Sequence, residues 1–333
     1  MRNKINRIIK KLITRIYHKL ILLLGFKVII RTSQYGRLGN NIQQILLLYA
    51  HYKMYGFKFF FSDNYESFYK IDVNFHKLPG YIDINKKSEE SLISKEIIFD
   101  NNMYLYTRQY NKFFKFSFLS NRIFRDSFIP KKKFLSLIPE LVDEIRPLFH
   151  NYISPKNITE ISIKELNRNC VIHLRGGDTI PPQNLNHISN PLSYYLWLKK
   201  FHSEIIIVQE PKTSRFKGCD ESKQGRENPI LTKLYEIFEV KKVISGSISN
   251  DFAILANSMN VASSGVASFP LAACLLSKNL RNFYYSNAFL SEHINPESIS
   301  NKVNKYCFKL DESFFVTWNR LSPEDRIKYT LKF

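Results

Sequence analysis

Short apolar runs alternate with helically spaced apolar positions along most of this chain. Residues 27–32 (KVIIRT), 57–62 (FKFFFS) and 96–100 (EIIFD) are compact and rich in β-branched or aromatic residues, and predict strands. Between the first two, 36–41 (GRLGNN) reads as a turn and 42–56 (IQQILLLYAHYKMYG) as a helix closed by Gly56. A β-loop-α-β opening of this kind belongs to an α/β domain. Past a boundary near 146–157 (RPLFHNYISPKN) the alternation becomes regular. It predicts strands at 170–175, 204–209, 241–245, 260–263 and 281–285, and helices at 191–202, 228–239, 250–258 and 267–278. Pro191 and Pro229 stand where first-turn prolines are tolerated. Strands separated by helices over this length predict a parallel, doubly wound sheet. The chain ends in SPEDRIKYTLKF, with Ser322 as N-cap and Pro323 as the first helical residue.

The first 26 residues follow another pattern. Ile5, Ile8, Ile9, Leu12, Ile13, Ile16 and Leu20 recur at helical spacing, with Lys4, Arg7, Lys10, Lys11, Arg15 and Lys19 between them. The longest uncharged run, Leu20 to Phe26, is far short of the roughly 20 residues that span a bilayer. No small-residue cleavage site follows, which argues against a signal peptide. A basic amphipathic helix lies in an anionic membrane surface, or packs on its own domain with its charged face outward. The expected organisation is 1–26 as this helix, 27–150 as an N-terminal α/β domain, 151–290 as a C-terminal Rossmann-like domain and 291–333 as a helical tail.

Charge sharpens the amino-terminal reading. The formal net charge is +20, and twelve Lys or Arg precede the first acidic residue, Asp63, so the rest of the chain carries only about +8. A basic end points to an anionic partner, a membrane surface or nucleic acid. Cys170, Cys219, Cys274 and Cys307 are widely spaced with no Cys-x-x-Cys pair, which argues against a zinc site and a disulfide scaffold. Reduced thiols in a cytoplasmic compartment are expected.

The densest candidate chemistry is VIHLRGGDTI, residues 171–180. A buried strand runs into Arg175, Gly176, Gly177 and Asp178, and ligands of open parallel sheets bind beyond the carboxyl ends of strands. A guanidinium offers a planar fork of donors to phosphate, and glycines let a ligand approach the backbone. The same residues also make an ordinary strand-end turn with a surface ion pair. His173, two residues earlier, faces the same side as Arg175; it reaches a ligand or is a buried, satisfied histidine. Gly39 and Asn40 open the first helix, where Asn40 serves an anion or sugar hydroxyl or simply caps. Ser263, Ser264 and Gly265 end a late strand and hold diphosphate or ribose oxygens, or form a capped loop. The basic aromatic run 108–134 lines an acceptor groove or forms a solvated edge over a Phe core.

Four stretches, in order, resemble the bacterial α-1,2-fucosyltransferases. HLRGGD (173–178) resembles their His-x-Arg-x-Gly-Asp motif, part of a wider His-x-Arg-x-x-Asp superfamily. GRLGNNIQQILLLYA (36–50) resembles their amino-terminal Gly-x-Leu-Gly-Asn segment, with Asn41 where the family has Gln. SNPLSYYLWLKKF (189–201) resembles the Tyr-Tyr helix, and 250–277 resembles the late segment with its Ser-rich strand end, here SSGVASFPLAA. The resemblance implies a GT-B fold, two Rossmann-like domains facing across a cleft, with acceptor on the amino-terminal side and donor on the carboxyl-terminal side. It implies inverting, metal-independent transfer of fucose from GDP-fucose, with Arg175 gripping the diphosphate and no further cofactor. The chain contains no Asp-x-Asp, so fixed cations rather than a bound metal are expected to meet the charge developing on the leaving group. Inversion calls for a base near the acceptor hydroxyl. Asp178, His173, His187, Glu210 and Asp251 qualify by type, and Asp178 is the preferred one.

These observations predict a glycosyltransferase of surface polysaccharide (O-antigen type) biosynthesis, peripheral at the cytoplasmic face of the membrane, with a glycan or lipid-linked oligosaccharide as acceptor and no nucleic acid partner. A transferase using a different nucleotide-sugar, and a non-enzymatic binder of nucleic acid or anionic lipid, are the alternatives. No zinc-finger, RNA-recognition or helix-turn-helix pattern supports a nucleic-acid module. No Gly-x-Gly-x-x-Gly follows a predicted strand and no Walker motif occurs, which argues against a nucleotide-binding oxidoreductase.

Overall fold

The computed structural model describes residues 23, 28–32, 38–61, 71–82, 97–100, 129, 131–176, 180–182, 184–209, 228–289 and 294–333. The chain divides into two compact units, Met1–Leu148 with Ser291–Ile294, and Phe149–Leu290 with Asn295–Phe333. Both are α/β units on parallel sheets, the class expected from the sequence. The amphipathic segment 1–26 and the basic aromatic run 108–134 lie almost entirely outside the described residues. Among those described, no helix is long and apolar enough to cross a membrane.

The first unit carries a three-stranded parallel sheet of β1 (Val28–Thr32), β2 (Lys58–Phe61) and β3 (Ile97–Asp100), in the order β2-β1-β3. Helix α1 (Leu38–Tyr55) joins β1 to β2 and starts at Leu38, four residues before the expected Ile42. Asn40 is therefore inside its first turn and does not cap it. From Asn41 to His51 every residue of α1 is buried, including the polar Asn41, Gln43, Gln44 and His51, so the helix is enclosed on all sides rather than amphipathic. It stops at Gly56, whose φ of 69° and N–H bond to Tyr52 O (2.7 Å) make a left-handed C-terminal cap. Helix α2 (Lys131–Ile145) packs on α1: Tyr49 donates to Glu144, which also takes Lys53 Nζ at 2.8 Å. Ile294 is tied back to α1 through Gln43 Oε1 at 2.9 Å.

The second unit opens with two short helices, α3 (His150–Ile153) and α4 (Ile163–Arg168), the latter held by a Ser162–Glu165 capping box. Six parallel strands follow: β4 (Cys170–Leu174), β5 (Glu204–Gln209), β6 (Glu239–Ile244), β7 (Asn260–Ser263), β8 (Asn282–Ser286) and β9 (Asn304–Phe308). Their order, β6-β5-β4-β7-β8-β9, is the 3-2-1-4-5-6 order of doubly wound dinucleotide-type sheets. CVIHL and EIIIV read as continuous apolar runs because such strands are buried on both faces.

Alternation along β4 sorts the helices. Ile172 and Leu174 share a core with Tyr194, Tyr195 and Leu198 of α5 (Leu192–Leu198) and Ile230 and Leu234 of α6 (Ile230–Ile237). His173 faces the other way, against Phe269 of α8 (Ser268–Leu276), which meets Phe252 of α7 (Ile248–Asn257). The carboxyl-terminal tail is not wholly helical as expected. It supplies edge strand β9 before α9 (Glu312–Arg320) and α10 (Pro323–Lys332), and Ser322 Oγ caps α10 by accepting from Asp325 N at 3.2 Å.

Candidate functional site

A doubly wound sheet opens a crevice where its strand order reverses, because successive connections leave the two central strands toward opposite faces. Here that point lies between β4 and β7. Arg175 follows β4 directly, and Ser263 ends β7 with Ser264 and Gly265 beyond it. The structure therefore brings together Arg175, Gly176, Ser263, Ser264 and Gly265 from stretches about ninety positions apart.

The contact is direct. Arg175 N–H donates to Ser264 Oγ at 3.2 Å, and its Nη1 donates to Val266 O at 2.7 Å. The guanidinium, half-buried, is thus held on the α8 side, the side His173 also faces. Ser263 Oγ donates to Gly265 O at 2.9 Å. Both serine hydroxyls are buried and engaged in shaping the loop.

A second loop is stitched onto this one. Asn190 N–H donates to Ser264 O and Val266 N–H to Ile188 O, each at 2.9 Å, pairing Ser189 with Gly265 as an antiparallel bridge. The approach explains the glycine. Gly265 has φ +131°, and a Cβ there would sit 2.3 Å from Ile188 O and 2.9 Å from Ser189 Cα. A backbone neighbour, rather than a ligand, already demands its bareness.

Two asparagines that sequence reasoning passed over complete the arrangement. Asn190 Nδ2 donates to Ser263 O at 2.8 Å while its Oδ1 takes Ser286 Oγ at 2.5 Å. Asn228 Nδ2 donates to Arg175 O at 2.7 Å while its Oδ1 takes Ile230 N–H at 3.0 Å. Each stands in an Asn-Pro dipeptide before a helix, the one signal that could have singled it out. The tail also reaches Pro182 and Leu185: Trp318 Nε1 donates to Leu185 O at 3.0 Å, and buried Arg326 donates to Pro182 O at 2.7 Å and Trp318 O at 3.1 Å.

The remaining predicted residues are placed elsewhere or lie outside the described set. Gly177, Asp178 and Glu210 are among those outside. Gly39 and Asn40 belong to α1 in the other unit. Asp251, a candidate base by type, is buried and accepts from Gly246 N–H at 2.9 Å, a loop-holding role. His173 is buried with its ring on Phe269, 5.4 Å between centroids. Among the described residues, no group of three or more His, Cys, Asp or Glu is placed to hold a metal.

Solved structures similar to this chain include POFUT1 in complex with GDP-fucose, at 10% identity, covering 85% of this chain and 97% of that one with a TM-score of 0.39. The E. coli heptosyltransferase WaaC with ADP is 12% identical, covering 91% and 96%, with a TM-score of 0.35. A family 9 glycosyl transferase from Veillonella parvula is 12% identical, covering 91% and 95%, with a TM-score of 0.38. At these values the likeness assigns neither a family nor an activity. No protein-family model and no curated protein matches the chain.

Proposed function

We propose that this chain is an inverting, metal-independent glycosyltransferase that moves a sugar, fucose from GDP-fucose foremost, from a nucleoside diphosphate to a glycan hydroxyl. The observation that carries the reading is the position of Arg175. A permanent cation stands at the carboxyl end of the central strand, at the switch point of the sheet, anchored to the loop that ends the neighbouring strand. A nucleoside diphosphate leaving group gains negative charge as the glycosidic bond breaks, and a preorganised cation stabilises that charge more in the transition state than in the ground state. The ordered stretches resembling α-1,2-fucosyltransferases favour GDP-fucose among possible donors.

In this reading Arg175 and the backbone of Gly176 and Ser263–Gly265 hold the diphosphate. Asp178, beside that loop in sequence, is the proposed base for the acceptor hydroxyl. A glycan or lipid-linked acceptor and a basic amino-terminal helix on an anionic membrane surface fit surface polysaccharide synthesis at the cytoplasmic face.

A thermal-shift screen with GDP-, UDP-, CMP- and dTDP-sugars tests this, since a ligand that binds only the folded state raises its melting temperature. GDP-fucose is expected to give the largest shift. A flat response to all four classes would rule the transferase reading out, and a uridine-specific response would move it to a different donor.

A further inference from the structure

Asn190 and Asn228 divide their amides in the same way. The oxygen of each does a local job: Asn228 Oδ1 receives the Ile230 N–H at the start of α6, and Asn190 Oδ1 receives the Ser286 hydroxyl at the end of β8. The nitrogen of each reaches across the fold to a carbonyl at a strand end flanking the switch point, Ser263 O for Asn190 and Arg175 O for Asn228. Both side chains are buried, Asn190 fully. Each precedes a proline, which restricts the asparagine backbone to extended conformations and so pre-sets where its side chain starts. Because the peptide unit is planar, fixing a carbonyl also fixes the N–H of the residue after it. Asn190 thereby sets the peptide joining Ser263 to Ser264, and Asn228 the peptide joining Arg175 to Gly176.

We propose that Asn190 and Asn228 are positioning residues for the donor site, each holding one of the two strand-end turns from which Arg175 and Ser263–Gly265 act on the diphosphate. The inference rests on the reading of Arg175 as the diphosphate ligand. It goes beyond that reading by naming what holds the ligand in place.

Replacement by aspartate separates the two halves of each amide. Asp keeps the accepting oxygen and caps a helix as well as Asn does, so the local job survives. The donor to the strand-end carbonyl is lost, and an oxygen faces an oxygen instead.

The test is calorimetric titration of GDP into the full chain, or of UDP if only uridine nucleotides raise its melting temperature. Asn190→Asp and Asn228→Asp are measured singly and combined with Arg175→Ala. Asn257→Ala is the control, since Asn257 holds Ile153 O and Ala253 O, away from these turns. Each Asp variant is expected to lose about tenfold in affinity. In the Arg175→Ala background the same substitutions should add less than about a further twofold, the non-additivity of residues that act through one another. The control should melt earlier with unchanged affinity. If Asn190→Asp does not fold, Ser286→Ala, which removes one bond from the same amide, carries the prediction at smaller size. Folded Asp variants with wild-type affinity, or losses fully additive with Arg175→Ala, overturn the inference while leaving the functional reading intact. A wild-type protein that binds neither GDP nor UDP overturns that reading, and the inference with it.

Discussion

Arg175 and Val266, 91 positions apart, are joined by a 2.7 Å hydrogen bond from guanidinium to backbone carbonyl across the point where the sheet reverses its order. The bond fixes a cation between the connections that follow β4 and β7. Lysine cannot reproduce it together with a forked grip on an anion, because its ammonium is a single point charge on a flexible stem. Arg175→Lys is therefore expected to keep the fold and still bind GDP about tenfold more weakly, the worth of one charge-assisted hydrogen bond. Titration calorimetry measures it.

Gly265→Ala should be the most damaging small substitution in the second unit. Its φ of +131° is strained for any side chain, and the new Cβ would fall 2.3 Å from the Ile188 carbonyl. Strain and clash together are expected to cost about 3 kcal/mol, read as a lower urea midpoint at unchanged slope.

Asn260, Asn282 and Asn304 stand in register at the starts of β7, β8 and β9, with Asn282 Nδ2 donating to Asn260 Oδ1 at 2.7 Å and Asn304 Nδ2 to Asn282 Oδ1 at 2.9 Å. This amide ladder lies at the opposite ends of the strands from Arg175. Asn282→Ala breaks both bonds and should lower stability by about 1–2 kcal/mol without changing nucleotide affinity. Paired denaturation and titration experiments check both halves.

Buried Arg326 lies 5.7 Å from the Trp318 ring and donates to the carbonyls of Pro182 and Trp318. Arg326→Met keeps the stem and removes the donors, leaving two carbonyls short of a partner. A loss of about 2–3 kcal/mol is expected, with faster proteolytic nicking near Pro182, which mass mapping of the fragments would locate.

Burial depresses His51, whose ring Nδ1 meets Leu47 O at 2.7 Å, from 6.5 to about 4. The folded state then resists protonation that the unfolded chain accepts. Stability from this group is complete above pH 6.5 and falls as the pH drops toward 4, by about 3 kcal/mol over the window. His51→Phe should flatten that part of the pH profile. Urea midpoints of both proteins at pH 7 and pH 4.5 test it.

Much of the second unit was legible because its central strands, CVIHL and EIIIV, are buried on both faces and mostly apolar, and Pro191, Pro229 and Ser322 mark helix starts by local chemistry. Strand β9, NKYCF, escaped notice because an edge strand is half exposed and has no continuous apolar run. Helix α2 begins with three lysines and contains Pro139, so it read as part of a basic run. Arg175 was visible as a cation closing an apolar strand. Asn190 and Asn228 were not, because an asparagine before proline reads as punctuation, and their partners lie 73 and 53 residues away. Such pairings exist only once the sheet order is known.

The central claim is that Arg175 holds a departing diphosphate. Titrating GDP into the wild-type chain and into Arg175→Ala, with both shown to be folded, tests it most directly. The account predicts saturable wild-type binding and a loss of about 10- to 100-fold in the variant; equal affinity for GDP in the two proteins would contradict it.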